Sequence, residues 1–195
     1  MCASFTRIQL ESWLKNIDVI GSVLDIGGSQ KSIKGRTKSW KVDNYKILDL
    51  EQPHECKRQP DLIGDVQEHY DYYNENENKF DVVFCTEVSE YWHNPYGALD
   101  NIQFLMKPKG KLYISFHTLY GLHNPKGEDS LRYTKNAIVK LLDNSEFEII
   151  KMIPRTISEE GRVWLERFYR SEGMRLDYAD PETWIEGWLV EARKR

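Results

Sequence analysis

Cysteine is scarce in this chain, and its placement carries no pattern. Cys2, Cys56 and Cys85 show neither paired spacing nor a C-x-x-C arrangement, which argues against a disulfide framework and a thiolate metal site and predicts reduced thiols in a cytoplasmic protein. Long hydrophobic runs are missing: nothing approaches the roughly 18 apolar residues of a membrane span. The opening MCASFTRIQLESW also lacks a basic region followed by an apolar core, so a soluble, untargeted chain with no membrane partner is expected. Positive charge is not in excess. The 27 Lys and Arg against 31 Asp and Glu give a formal charge of −4, so a phosphate backbone gains nothing from the overall field and no nucleic-acid partner is expected. Nor do the six tryptophans interleave with basic residues as a single-strand binding surface requires. There is no H-E-x-x-H and no metal site is expected. With no repeat, linker or low-complexity tail, the 195 residues are expected to form one domain over 1–195, long enough for a continuous core.

What is present is a succession of strand and helix patterns. TRIQLESWLKNI, 6–17, places Ile8, Leu10, Trp13, Leu14 and Ile17 near one helical face, with Asp18 and Gly21 predicted to break it. SVLDIG at 22–27, VDNYKILDL at 42–50 and LIGDV at 62–66 read as short strands that end in acids. HYDYYNENENK, 69–79, is polar and reads as a surface connection. FDVVFCT, 80–86, is apolar without alternation, as in a strand covered on both faces. Residues 95–107 open with Pro95 at a first helical position, and 108–116 supply a turn and another buried strand. A helix over 134–144 capped by Thr134, a strand at 147–153, helical character in EEGRVWLERFYRS and a last strand at 187–192 complete the series. The order predicts an α/β fold with a doubly wound sheet.

Ligands of such sheets bind beyond the carboxyl ends of the strands. Asp25, Asp49 and Asp65 all fall there. One aspartate at a strand end is more often a turn or cap residue, but three beside the pair Gly27 and Gly28 point to an adenosine-type ligand. The glycines let main chain approach a ligand closely. Asp49 suits two vicinal ribose hydroxyls, and Asp65 an exocyclic amine. VLDIGGSQKS is neither G-x-x-x-x-G-K-[ST] nor G-x-G-x-x-G, and Asp25 would repel a pyrophosphate while suiting an ammonium group. A nicotinamide oxidoreductase is disfavoured on both grounds.

VLDIGGSQKS resembles the first motif of the class I methyltransferases that use S-adenosylmethionine. YKILDL, LIGDV, FDVVFCTEVSEYWHNPYGALDNIQFLMKPKGKLYISF and WLVEARK look like the later motifs in the right order, so that the similarity spans roughly 20–153 and, more weakly, the last strand. The resemblance implies a Rossmann-like, seven-stranded, mostly parallel sheet with an antiparallel last strand. It implies S-adenosylmethionine as cofactor, with Asp25, Gly27 and Gly28 at its methionine end and Asp49 at its ribose. Asp65 and Val66 would lie at the adenine, and Thr86 and Glu87 would face the sulfonium. Ser29 and Lys31 stand where the family often has glycine, and Tyr91 where it often has histidine. These departures leave open a non-catalytic, methyltransferase-like binding or partner subunit.

Methyl transfer needs an aligned acceptor and, for a hydroxyl, a base. The stretch FHTLYGLHNPKGEDSLRYT, 116–134, offers His117, His123 and Tyr133 as catalytic candidates, with Tyr120, Glu128, Asp129 and Arg132 as candidates for holding a polar acceptor. The alternative is a structured surface loop in which Arg132 pairs with Asp129. HNPKGEDSLRYT looks like a segment of small bacterial and viral methyltransferases associated with glycan or other small-molecule modification, which implies a small or sugar-like acceptor methylated on oxygen or nitrogen. A homodimer is the expectation set by the commonness of cyclic dimers.

Overall fold

A computed structural model describes residues 4–119, 121–122, 127–172 and 184–195. Seven strands form one sheet: β1 (Asp18–Ile26), β2 (Ser39–Asp49), β3 (Leu62–Ile63), β4 (Phe80–Cys85), β5 (Met106–His117), β6 (Phe147–Thr156) and β7 (Ile185–Lys194). Their order is β3-β2-β1-β4-β5-β7-β6. The pairs through β5 are parallel, and β7 lies antiparallel between β5 and β6. This is the doubly wound, seven-stranded sheet the motifs imply, with the chain reversing its direction of travel between β1 and β4.

Alternation along the strands builds a core on each face. Leu24 and Ile26 of β1, Val83 and Cys85 of β4, and Leu112 and Ile114 of β5 turn to one side. Val19, Val23, Val82, Phe84 and Tyr113 turn to the other, where Leu10, Trp13, Leu14 and Ile17 of the N-terminal segment cover them. The helices α1 (Phe5–Leu14), α3 (Pro95–Leu105), α4 (Lys135–Asn144) and α5 (Glu159–Ser171) start at Ser4, Asn94, Thr134 and Ser158. Each of these side chains accepts a hydrogen bond from a first-turn amide. Among the described residues no helix is long and apolar enough to cross a membrane.

Two local expectations are corrected. Residues 69–79 are not merely a surface connection: Asp71–Glu75 form a short helix, α2, and Tyr73 is fully buried. Its ring meets His69 and Tyr70 at 5.6 and 5.7 Å, so the aromatics of this polar stretch join the core. Asp18 and Gly21 do not separate helix from strand either, because β1 already begins at Asp18. Gly21, at φ +88°, carries a bulge that lets Asp81 accept a hydrogen bond from the Ser22 amide at 2.8 Å.

Gly187 fixes the far side of the sheet. It pairs with His117 of β5 and with Arg155 of β6, and a Cβ there would lie 2.4 Å from the Phe116 carbonyl oxygen. Main chain cannot swing aside as a flexible side chain would. Gly187→Ala should therefore destabilise the protein by about 1–3 kcal/mol. A lowered urea midpoint is expected; an unchanged one would mean that β7 does not sit in this register.

Candidate functional site

At the switch point the chain leaves β1 through Gly27, which has φ +74° and donates its amide to the Leu48 carbonyl at 2.9 Å. A Cβ on Gly27 would fall 2.4 Å from Val88 Cγ2, and one on Gly28 would fall 2.6 Å from the Asp25 carboxyl carbon. Both positions need glycine for closeness, and the first also for its dihedral. Beside this loop opens a cavity of about 850 Å³, within the range of small-molecule sites. Gly27, Asp49, Asp65, Val66, Glu87 and Glu128 of the sequence-selected residues line it.

Asp49 accepts the Ser29 amide on Oδ2 at 3.0 Å and the Leu50 amide on Oδ1 at 2.9 Å, so each oxygen keeps a second lone pair for a ligand. Ser29 thus contributes its backbone N–H to the loop. Asp65 accepts from the Gln67 amide at 2.9 Å and from the Gln67 side chain at 3.1 Å on both oxygens. Gln67 in turn accepts the amides of His93 and Asn94, tying the loop after β3 to the start of α3.

Asp25 is buried and faces inward. Its Oδ2 accepts from the Ile33 amide at 2.7 Å and from the Tyr45 hydroxyl at 2.6 Å. Burial pushes its pKa up to about 6, against these two bonds, which favour the charged form. With Thr86 it borders a small recess behind the main cavity, where Arg7 of α1 reaches both spaces. Lys31 pairs with Glu11 at 2.6 Å, and Arg36 grips the same carboxylate with Nε at 3.1 Å and Nη2 at 3.0 Å. Lys31 therefore ties the loop to α1.

A family model described as "Methyltransferase domain" matches residues 9–185. The chain belongs to this class I methyltransferase family. It is an enzyme, and S-adenosylmethionine is its methyl donor. No curated protein sequence matches this methyltransferase significantly. Its fold is shared with solved structures of low sequence identity. An S-adenosylmethionine-dependent methyltransferase of Archaeoglobus fulgidus aligns with TM-score 0.63 and 15% identity over 96% of this chain and 92% of that one. One from Mesorhizobium loti aligns with TM-score 0.61 and 12% identity over 97% and 98%. Phosphoethanolamine N-methyltransferase 2 of Haemonchus contortus, solved with S-adenosyl-L-methionine, aligns with TM-score 0.59 and 12% identity over 96% of this chain and 51% of that one.

The acceptor side of this methyltransferase differs from the reading of 116–134 as a catalytic loop. Tyr120 and His123 lie outside the described residues. Tyr133 is buried, donates its hydroxyl to the Ser89 carbonyl at 2.8 Å and has its pKa raised by burial, so it holds the fold rather than a proton in transit. Asp129 is buried and paired to Arg132 at 2.9 Å, the structural arrangement considered above. Glu128 does face the cavity, 3.5 Å from His54. The His54 ring packs against Tyr91 at 5.6 Å, and both line the cavity. Arg7, His54 and Gln67 belong to no short pattern in the sequence, whereas Glu90 and Tyr91 lie within the quoted EVSEY.

His117 has no surface exposure and does not line the cavity. Its Nε2 lies 3.3 Å from Glu90 and 3.6 Å from Glu87, and Arg155 donates to Glu87 at 2.7 Å. Burial alone would lower the His117 pKa, but the two carboxylates raise it to about 9. Burial opposes the charge on Glu87, yet His117 and Arg155 outweigh it and hold its pKa well below the usual carboxylate range. A protonated, enclosed imidazole is a poor base at neutral pH, which corrects the catalytic expectation for His117.

Folded His117 keeps its proton to higher pH than the unfolded chain does. Its contribution to stability is complete below the ordinary value of 6.5 and is lost as the pH rises through about 9. The unfolding free energy should fall across that interval, and His117→Gln should remove this part of the slope. Equal slopes in chemical denaturation of the two proteins would show that the imidazole is neutral in the fold.

Proposed function

We propose that this methyltransferase transfers a methyl group to an oxygen or nitrogen atom of a small, polar, sugar-like acceptor. The observation that carries this reading is the single continuous cavity. Its lining combines Gly27, Asp49, Asp65 and Val66 with the polar and aromatic side chains of Glu128, His54 and Tyr91, His54 lying 3.5 Å from Glu128 with its ring 5.6 Å from that of Tyr91. Its size admits a nucleoside cofactor and a small acceptor together.

S-adenosylmethionine supplies an electrophilic methyl group on a sulfonium. The residues present fit that group: Gly27 lines the cavity without a side chain, and Asp49 has an acceptor lone pair to spare on each oxygen for hydroxyl donors. Asp49 would accept from the ribose hydroxyls, Asp65 from the adenine amine, and Val66 would pack on the ring. Gly27 and Gly28 would admit the methionine portion, with Asp25 bracing their loop from behind. Thr86 and Glu87 stand at the reactive end, and Arg7 is the cation suited to the carboxylate. On the acceptor side, Glu128 and the nearby Asp129–Arg132 pair would shape the entrance.

The lining also speaks about the acceptor. Setting aside Glu87 and Glu90, which the buried His117 and Arg155 balance, the lining carboxylates Asp49, Glu55, Asp65 and Glu128 face Arg7, His54 and His93. That balance supports a neutral or cationic small molecule over a nucleic-acid backbone or another polyanion.

Calorimetry with S-adenosylmethionine or S-adenosylhomocysteine should give saturable 1:1 binding, and Asp49→Ala should weaken it about tenfold to a hundredfold through loss of charge-assisted hydrogen bonds. No binding at millimolar ligand would sink the cofactor assignment. Transfer of labelled methyl groups across panels of glycosides, amines, phosphate esters and oligonucleotides should mark glycosides or amines; turnover confined to the anionic panels would overturn the acceptor class.

A further inference from the structure

The carboxyl edge of the sheet holds a charged cluster that solvent barely reaches. Arg155 and Glu90 are each 1% exposed and His117 is not exposed at all. Arg155 comes from β6, the outermost strand, yet it reaches across β7 and β5 to Glu87, two residues past the end of β4. Gly187 lies in register between His117 and Arg155, so the three residues stand side by side across β5, β7 and β6.

The target of Arg155 is Glu87, which lines the cavity at the end where the proposed function places the sulfonium. The guanidinium meets it with Nη1 to Oε1 at 2.7 Å and Nη2 to Oε2 at 3.3 Å. Ser115 holds it from below: its hydroxyl donates to Oε1 at 2.9 Å and accepts the Glu87 amide at 2.7 Å. The backbone of Glu87 sits at φ +60°, a conformation rare outside glycine, and these bonds retain it. His117 balances Glu90 and touches Glu87, while Glu186 at the head of β7 is near enough to feel both cations. Two carboxylates, Glu87 and Glu90, are thus matched by two buried cations.

Methyl transfer removes the positive charge from sulfur, as the C–S bonding pair returns to it and the acceptor's lone pair forms the new bond to carbon. An unneutralised carboxylate beside that sulfur would favour the charged ground state over the transition state and slow the reaction. We propose that Arg155 is a positioning residue that neutralises Glu87, so that the cavity holds its methyl donor by shape and hydrogen bonds and not by over-stabilising the sulfonium. This rests on the cofactor orientation given under the proposed function. The same pairing lets Glu87 remain ionised and fixed in place when the cavity is empty.

The test compares affinities for S-adenosylmethionine, a cation at sulfur, and S-adenosylhomocysteine, neutral there, by calorimetry on four proteins: wild type, Arg155→Met, Glu87→Gln and the double variant. Arg155→Met leaves a carboxylate without its cation, and preference for the methylated form should rise at least about tenfold. Glu87→Gln leaves the cation, and the preference should fall by a similar factor. The double variant should return to within about threefold of wild type, because the charge balance is restored. Should Arg155→Met fail to fold by circular dichroism, the Glu87→Gln and double variants still decide the matter. A preference unchanged in the variants, or moved the same way by both single substitutions, would overturn the assignment. If wild type binds neither nucleoside, the cofactor reading fails and takes this inference with it, a result distinct from binding without a change in preference.

Discussion

A carboxylate can be held out of water only with its donors in place, and the binding edge of this sheet is organised around four that are. Asp25 is satisfied by Tyr45 and Ile33, Asp49 by two loop amides, Asp65 by Gln67, and Glu87 by Arg155 and Ser115. Tyr45 ties Asp25 to β2, the Ser29 amide ties Asp49 to the loop after β1, Gln67 joins Asp65 to the start of α3, and Arg155 and Ser115 tie Glu87 to β6 and β5. These bonds are in place before any ligand arrives, which is the preorganisation a transfer reaction needs.

The four are not equivalent. Asp49 and Asp65 keep lone pairs directed at the cavity and so can meet a nucleoside. Asp25 receives the Ile33 amide and the Tyr45 hydroxyl on one oxygen inside the protein, and Glu87 carries a neutralising partner. On the proposed cofactor placement, carboxylates available to the ligand would meet the ribose and adenine, and those answered by the protein would lie toward the reactive end. Specificity for the nucleoside and restraint toward the sulfonium can thereby coexist in one cavity.

The sheet was readable because its central strands β1, β4 and β5 carry apolar runs whose alternate residues feed two cores, and because Gly27, Asp49 and Asp65 fall at or just past strand ends. The buried Tyr73 escaped notice because its neighbours in sequence are polar and its partners His69 and Tyr70 immediately precede a helix of only five residues. Asp25 was legible as a strand-end carboxylate beside the glycine pair but not in its orientation, since nothing local announces that Tyr45 bonds to it. His117 looked like a base because a histidine after β5 points toward the binding edge; Glu87 and Glu90, about thirty residues earlier, convert it into a cation. Arg155 and His54 have no local signature at all, because their roles arise from strand order and loop convergence rather than from spacing. Ser29 and Lys31, departures from the family pattern, prove compatible with the loop: one supplies a main-chain donor and the other an anchor to α1.

The placement of β7 has a consequence for assembly. Among the described residues β6 has no hydrogen-bonded strand neighbour except β7, so residues 185–194, inserted between β5 and β6, complete the register that brings Arg155 to Glu87. Until they are synthesised, β5 is a bare edge open to pairing with other chains. Completing the Glu87–Arg155 pair and closing that edge belong to the same event.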